Sequence, residues 1–454
     1  MEQFKRALNE SVALRWGILV LVGFILSVNY YFYDAFSTLK DQLKDVYDFT
    51  NTDYGLFVSF YSIPNTFLLM AVIGGIILDK LGIRRTGFMF IFFMAFGALL
   101  TAYGASDYYS AGGLGYDAMN SFLPGYSPQL KMMLLGRFFY GLGAETSIVV
   151  VSKILVKWFK GKDLALAFGL KVGFGRLGTF AALQLSPVLS NEGTTITTAI
   201  WLAAVLVGTG LLAFVIYMLF DAKLDRQIEH NSPVSSTATN KFSFSDMGSF
   251  MKNPAFIYIA LLCLTFYSAV FPFLAFAPDF FSDKFGFTAV QSGQITSLLP
   301  FATAFFTPFF GWLIDRKGKS ATAMIFGSIA LLTVHLIFSL TSMLPYFPMI
   351  LLGIAFSLVP AALWPSMVKL VDEKQIGTAY GMMYSIQNLG LWGFPLLAGY
   401  LLDVTNPGNP DVSDYTVTIF MFAGLGLVGL IFSLLLKRVD KQKGYGVDLP
   451  MNKK

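Results

Sequence analysis

The sequence predicts an all-α membrane protein: twelve transmembrane helices in two six-helix bundles, with both termini in the cytoplasm. Three observations carry that prediction. The 454 residues are 55% hydrophobic and only 13% charged, with a mean hydropathy of +0.64, whereas a soluble globular chain holds about 25% charged residues. Roughly twelve apolar runs of about 18–25 residues are long enough to cross a ~30 Å hydrocarbon core as helices; a β-barrel would show short alternating segments instead. Basic residues, finally, collect in alternate loops. One side receives Lys5, Arg6 and Arg15, then Lys80, Arg84 and Arg85, Lys157, Lys160 and Lys162, Lys223 to Lys252, Arg316 to Lys319, Lys369 and Lys374, and the tail from Lys437. The other side receives only Lys40, Lys44, Lys131 and Lys284. The excess marks the cytoplasmic side.

The runs fall near 14–36, 55–78, 86–104, 130–156, 164–188 and 197–220, then 254–277, 291–314, 321–342, 346–371, 377–402 and 415–436. The expected units are an N-terminal bundle over 1–220, a cytoplasmic linker over 221–253, a C-terminal bundle over 254–436 and a tail over 437–454. The first run is too long for a cleaved signal peptide and reads as a retained helix. The net charge of +5 follows from the loop bias and points to lipid, not nucleic acid. Cys263 is the only cysteine, so no intramolecular disulfide or cysteine metal cluster forms.

Taken in order, the first span ends in the aromatic cluster Asn29 to Asp34, either an interfacial belt or a cavity lining. The second ends in Gly75-Ile-Ile-Leu-Asp79-Lys80-Leu-Gly82-Ile-Arg84-Arg85, and Gly311-Trp-Leu-Ile-Asp315-Arg316-Lys-Gly318 repeats that spacing much later. Ala167-Phe-Gly-Leu and Ala379-Tyr-Gly-Met form a second echo. Two halves of six spans therefore run in parallel. A glycine permits close helix approach and a helix-end carboxylate can face a neighbouring helix N-terminus. Gly75, Asp79, Arg84, Arg85, Asp315 and Arg316 are thus expected to gate the cytoplasmic side.

The fourth and fifth spans carry Glu145 and Arg176, joined by the turn Lys160-Gly-Lys-Asp163. Counted from the centre of that turn the two differ in depth by only about 3 Å, near the bilayer middle. A lone charge there costs at least ~2.5–3.5 kcal/mol. Either the two form a permanent ion pair, or each is reserved for a charge on a substrate, Glu145 for a cation and Arg176 for an anion. Lys171, five residues from Arg176, is about 140° away around the helix and is expected to face elsewhere. Lys153 and Arg137 read as structural or gating residues, and His335 as a satisfied polar residue or a proton carrier. The second half is nearly charge-free but offers Tyr267, Trp364, Gln387 and Asn388, the last matching Arg176 in the repeat. Pro272, Pro300, Pro308, Pro360, Pro365 and Pro395 are expected to interrupt helices.

The Gly-x-x-x-Asp-basic-x-Gly loops, with Arg137-x-x-x-Gly141-x-Gly143 in the fourth span, resemble the signatures of the major facilitator superfamily. The span-five Gly-Pro signature is missing, with Arg176 in that region. Glu145-Thr-Ser, Trp158-Phe-Lys-Gly-Lys, Arg176-Leu-Gly, Ala362-Leu-Trp-Pro and Ser385-Ile-Gln-Asn-Leu-Gly resemble one branch of it, typified by major facilitator superfamily domain-containing protein one. That resemblance implies a facilitative dipeptide carrier working by alternating access. Glu145 would meet the amino end, Arg176 the carboxylate, and Tyr30, Tyr61, Tyr267, Trp364, Gln387 and Asn388 would line the cavity. The expected partners are a small zwitterion and the lipid bilayer, for a monomer without cofactor. The alternatives are an organic-anion or phosphate-ester exchanger using Arg176 with Lys171 or Lys153, a proton-coupled peptide symporter, or a non-transporting receptor. An enzyme is not expected, since no nucleophile or metal-ligand constellation is present. No acidic dileucine signal stands in the tails, so a prokaryotic plasma membrane is expected.

Overall fold

The computed structural model describes residues 8–159, 161–190, 196–231, 248, 250–372, 375–408 and 412–450. Most of the expected linker lies outside the described residues, as do Lys160 and Lys374. Among the described residues there is no β-strand. The first half comprises α1 (Val12–Ala35), α2 (Lys40–Tyr47), α3 (Asn51–Phe60), α4 (Ile63–Phe67), α5 (Met70–Gly104), α6 (Asp107–Ser110), α7 (Tyr116–Asn120), α8 (Pro128–Phe159), α9 (Leu164–Leu189) and α10 (Ile196–Asn231). The second comprises α11 (Pro254–Phe285), α12 (Ala289–Thr296), α13 (Leu298–Lys317), α14 (Ser320–Leu340), α15 (Tyr346–Val368), α16 (Ile376–Thr405) and α17 (Thr416–Lys443).

Ten described stretches are long and apolar enough to cross a membrane, so this is an integral, multi-pass, all-α membrane protein. α16 is not among the ten, because its Tyr380, Tyr384, Ser385, Gln387 and Asn388 lower its hydropathy. The second and third expected spans meet within α5, and here the structure corrects one expectation. The second span is not one helix: Pro64 withholds a backbone donor, and Leu69 adopts a left-handed φ of 51°, so the chain breaks into α3, α4 and α5. The loop after it is a break as expected: two helices, the second running on to Gly104, meet at a kink at Gly82, whose φ 77° and ψ 173° are non-helical. Its counterpart Gly318 has φ 69°. Left-handed backbone costs other residues about 1–2 kcal/mol, which explains a glycine at both places.

A Cβ placed on Gly75 or on Gly311 would meet no atom within 4 Å, so neither glycine makes the close helix approach expected of it in this conformation. The prolines also depart from expectation: Pro272, Pro308, Pro360, Pro365 and Pro395 lie inside continuous helices.

The repeat extends to the packing. α1 lies along α9 and α10, as α11 lies along α16 and α17; α5 packs on α10 as α14 packs on α17. Both second spans start with a capping box, Thr50 with Asp53 and Thr288 with Gln291. The halves touch reciprocally, α3 on α16 and α9 on α12 and α13. Within the first half α1 and α9 approach closely at Gly178, where a Cβ would stand 2.0 Å from the Ser27 carbonyl oxygen. Gly178→Ala should therefore force the helices apart, cost about 1–3 kcal/mol and lower the melting temperature in detergent; an unchanged melting temperature would refute that packing argument.

Candidate functional site

Glu145 sits on the face of α8 that also carries Ile148 and Ser152, spaced i, i+3 and i+7 along one side of a helix. Arg176 follows Gly175 on α9, and a Cβ at Gly175 would stand 2.9 Å from the Tyr30 ring. Glycine there lets Tyr30 of α1 pack over the helix beside the guanidinium. These residues face a cavity of about 1170 Å³ between the two halves. α1, α5, α8 and α9 supply Tyr30, Tyr33, Gly75, Asp79, Glu145, Ser152, Lys171 and Arg176, while the second half supplies Tyr267, Phe356, Trp364, Tyr380, Tyr384 and Gln387.

Glu145 and Arg176 line the same cavity and are not ion-paired; among the described residues neither takes part in a salt bridge. Instead the Tyr61 hydroxyl donates to Glu145 Oε1 at 2.7 Å. The Arg176 guanidinium stands 5.1 Å from the Phe356 ring and 6.0 Å from the Tyr30 ring, so rings from both halves flank it. Cation–ring contacts support a guanidinium without using its hydrogen-bond donors. The permanent ion pair considered from sequence is thereby excluded for this conformation, and both charges are left open to the cavity.

The wall opposite is aromatic. Trp364 stacks on Tyr384 at 4.7 Å and on Tyr380 at 5.6 Å, and its indole donates to the Tyr267 hydroxyl at 2.9 Å. That bond fixes the indole plane against the cavity. Gln387 faces in, with a buried Oε1 that lacks a hydrogen-bond partner. Asn388 does not line the cavity: one residue on, about 100° around the helix, it is 1% exposed and donates to the Tyr384 carbonyl at 3.0 Å. The expected pairing of Asn388 with Arg176 across the cavity is therefore not made. Lys171 is the opposite correction. It lines the cavity together with Arg176. The cavity spans a sector of α9 wide enough to take Lys171, Val172, Gly175 and Arg176, and a flexible lysine stem reaches around the helix.

The residues expected to gate divide. Gly75 and Asp79 line the mouth of the cavity, where Lys153 donates to Asp79 at 2.6 Å. Arg84 pairs with Asp225 at 3.0 Å and Asp221 at 3.6 Å. Arg85, Asp315 and Arg316 are exposed, with Arg316 over the Trp312 ring at 5.5 Å. Arg137 is 1% exposed and enclosed by five rings, Phe57 closest at 4.5 Å. His335 is fully buried between Phe273 and Phe422, away from the cavity.

Sequence reasoning missed the closure at the other end. There Lys40, at the start of α2, forms a buried ion pair with Asp279 of α11 and donates to the Tyr415 hydroxyl at 3.1 Å. Asp403 of α16 accepts from the backbone amides of Asn51 at 3.1 Å and Thr52 at 2.8 Å, at the N-terminus of α3, where a carboxylate is favoured by the helix dipole. Gly55 lets α3 reach Pro395, whose carbonyl would stand 2.3 Å from a Cβ. The cavity is thus open toward Asp79 and sealed toward Lys40. Only the carboxylate in the run Ala-Pro-Asp279-Phe-Phe could have signalled this from sequence.

The family model described as Major Facilitator Superfamily matches residues 19–393. The lysosomal dipeptide transporter MFSD1 of Bos taurus is 29% identical over 98% of this chain and 89% of its own length. That of Homo sapiens is 31% identical over 86% of this chain and 81% of its own length. Among solved structures, a bacterial homolog to the human lysosomal transporter Spinster, inward-facing and unoccupied, superposes with a TM-score of 0.70 at 14% identity, covering 95% of this chain and 98% of that one; at that identity it shows the fold alone. The relatives are named for the lysosome, so the expected prokaryotic plasma membrane finds no support among them.

Proposed function

The chain belongs to the major facilitator superfamily, as a membrane transporter rather than an enzyme, and from that premise we propose that it moves dipeptides by rocker-switch alternating access, as a facilitative uniporter. The observation that carries the reading is Glu145 and Arg176 in one cavity, on neighbouring helices, neither ion-paired. A free dipeptide is a zwitterion whose two ends match these two charges. Glu145 receives the ammonium, with Tyr61 holding the carboxylate in place. Arg176 receives the carboxylate with its planar fork. The aromatic wall of Tyr267, Trp364 and Tyr384 takes side chains by shape rather than by charge, and Gln387 offers its spare amide oxygen to the peptide N–H. Relatives named as dipeptide transporters, at about 30% identity over most of the chain, support the substrate class. With twelve spans and cytoplasmic termini, the mouth at Asp79 opens to the cytoplasm.

Lys171 beside Arg176 in the same cavity favours a second reading, an organic-anion or phosphate-ester exchanger. A thermal-shift panel on the purified protein separates the two. Free dipeptides should stabilise it, by about 2.7 kcal/mol at a hundred times the dissociation constant, whereas dipeptides capped at either end and single amino acids should stabilise it much less. Equal stabilisation by capped and free peptides would reject two-ended capture, and stabilisation by phosphate esters alone would select the anion reading.

A further inference from the structure

Lys171 has no part in holding the peptide, yet it lines the cavity. Its ammonium donates to the Ser152 hydroxyl at 2.5 Å and to the Ile148 carbonyl at 3.3 Å. Both acceptors are uncharged, and among the described residues Lys171 takes part in no salt bridge. Ser152 and Ile148 stand on the face of α8 that ends at Glu145, and all three line the cavity. The contact with Ser152 is the one the hairpin geometry predicts, because Lys171 and Ser152 lie equally far from the centre of the α8–α9 turn. Glu145 and Lys171 line the same cavity from neighbouring helices. From Ser152 to Glu145 is seven residues, about 10.5 Å along the helix, comparable to the summed reach of an extended lysine and an extended glutamate side chain.

A uniporter must return empty. When it closes around a peptide, the substrate ammonium neutralises Glu145. When it closes empty, water leaves and Glu145 would be enclosed with the Tyr61 hydroxyl as its partner. Enclosing a carboxylate without a cation is strongly unfavourable, and would confine the protein to exchange of one peptide for another. We infer that Lys171 is the internal substitute for the substrate ammonium: in the empty carrier it moves along α8 from Ser152 to Glu145 and permits the return step. It acts through Glu145 and is a positioning residue. The inference rests on the peptide reading, in which Glu145 holds an ammonium.

Purified protein in liposomes can be assayed in two modes, net efflux of a labelled dipeptide and exchange of that dipeptide present on both sides. Lys171→Gln should slow net efflux at least about tenfold, the counterpart of about 1.4 kcal/mol on a barrier, while exchange stays within about threefold of wild type. Lys171→Arg, which keeps the cation, should restore much of the net flux. Equal loss in both modes by a variant that is still thermally stabilised by the dipeptide overturns the inference, as does an unchanged ratio. If the glutamine variant does not fold, Lys171→Met, neutral and of similar length, takes its place with the same expectation. Wild-type protein that carries no dipeptide rejects the peptide reading and this inference together; normal wild-type flux with an unchanged ratio in the variant rejects the role of Lys171 alone. Loss of exchange and of binding for anionic ligands would instead assign Lys171 to substrate contact and overturn the inference.

Discussion

Glu145→Gln should lower kcat/KM for a free dipeptide by about two orders of magnitude, since losing one member of a desolvated charge contact costs about 2–5 kcal/mol. The substitution keeps the shape of the side chain and its hydrogen bond with Tyr61, so the loss reports the charge and not the packing. The same variant should show no further loss with an N-acetylated dipeptide, because wild type and variant then both lack the ammonium–carboxylate contact. That comparison is a double-mutant cycle in which one partner is the substrate. Uptake into liposomes measures both arms. Near-normal peptide uptake by Glu145→Gln would reject the zwitterion grip, and unimpaired uptake of an organic anion beside lost peptide uptake would still leave Arg176 as the anion site.

Lys40→Met should shift the carrier toward the conformation open at the Lys40 end. Lys40 is 1% exposed and forms the buried ion pair with Asp279, which also accepts from the Tyr415 hydroxyl. Removing the cation leaves the Asp279 carboxylate buried in the closed seam without its ion pair. Breaking a buried pair by removing one partner costs about 3–5 kcal/mol, and a shift of that size moves a two-state equilibrium by more than about a hundredfold. Spin labels placed on the ends of α3 and α16 at this seam should report longer distances in the variant. Lys40→Met combined with Asp279→Leu should recover much of the closed state, because apolar replacement of a whole buried pair is close to neutral. Unchanged distances in Lys40→Met would show that the Asp403 contacts with Asn51 and Thr52 hold the seam without the ion pair.

The fold was legible because its signals are local. Long apolar runs record burial in hydrocarbon directly, and the repeated loops survive as sequence because Gly82 and Gly318 need the same left-handed backbone. The break at Pro64 and Leu69 was less visible, since an apolar run looks the same whether or not its hydrogen-bond ladder is continuous. For the candidate site, charge in the middle of apolar spans pointed to Glu145 and Arg176, and both line the cavity. Helical phase then misled twice. It excluded Lys171 by treating a flexible side chain as a fixed spoke, and it admitted Asn388 by a repeat offset that is good to a residue or so. One residue is about 100° on a helix, which is the difference between Gln387 in the cavity and Asn388 in the bundle interior.

By itself the sequence determined that this is a helical membrane protein of two related halves, and singled out two charges in the middle of adjacent spans, because hydropathy, periodicity and the cost of a buried charge all act within a single segment. The tertiary structure decided what those charges touch. It separated Glu145 and Arg176 and gave one to Tyr61 and the other to flanking rings. It brought Lys171 to Ser152, and it sealed one end of the cavity with Lys40 and Asp279. Each of these is a choice of partner between helices far apart in the chain, set by helix rotation, side-chain reach and the conformation in which the two halves meet.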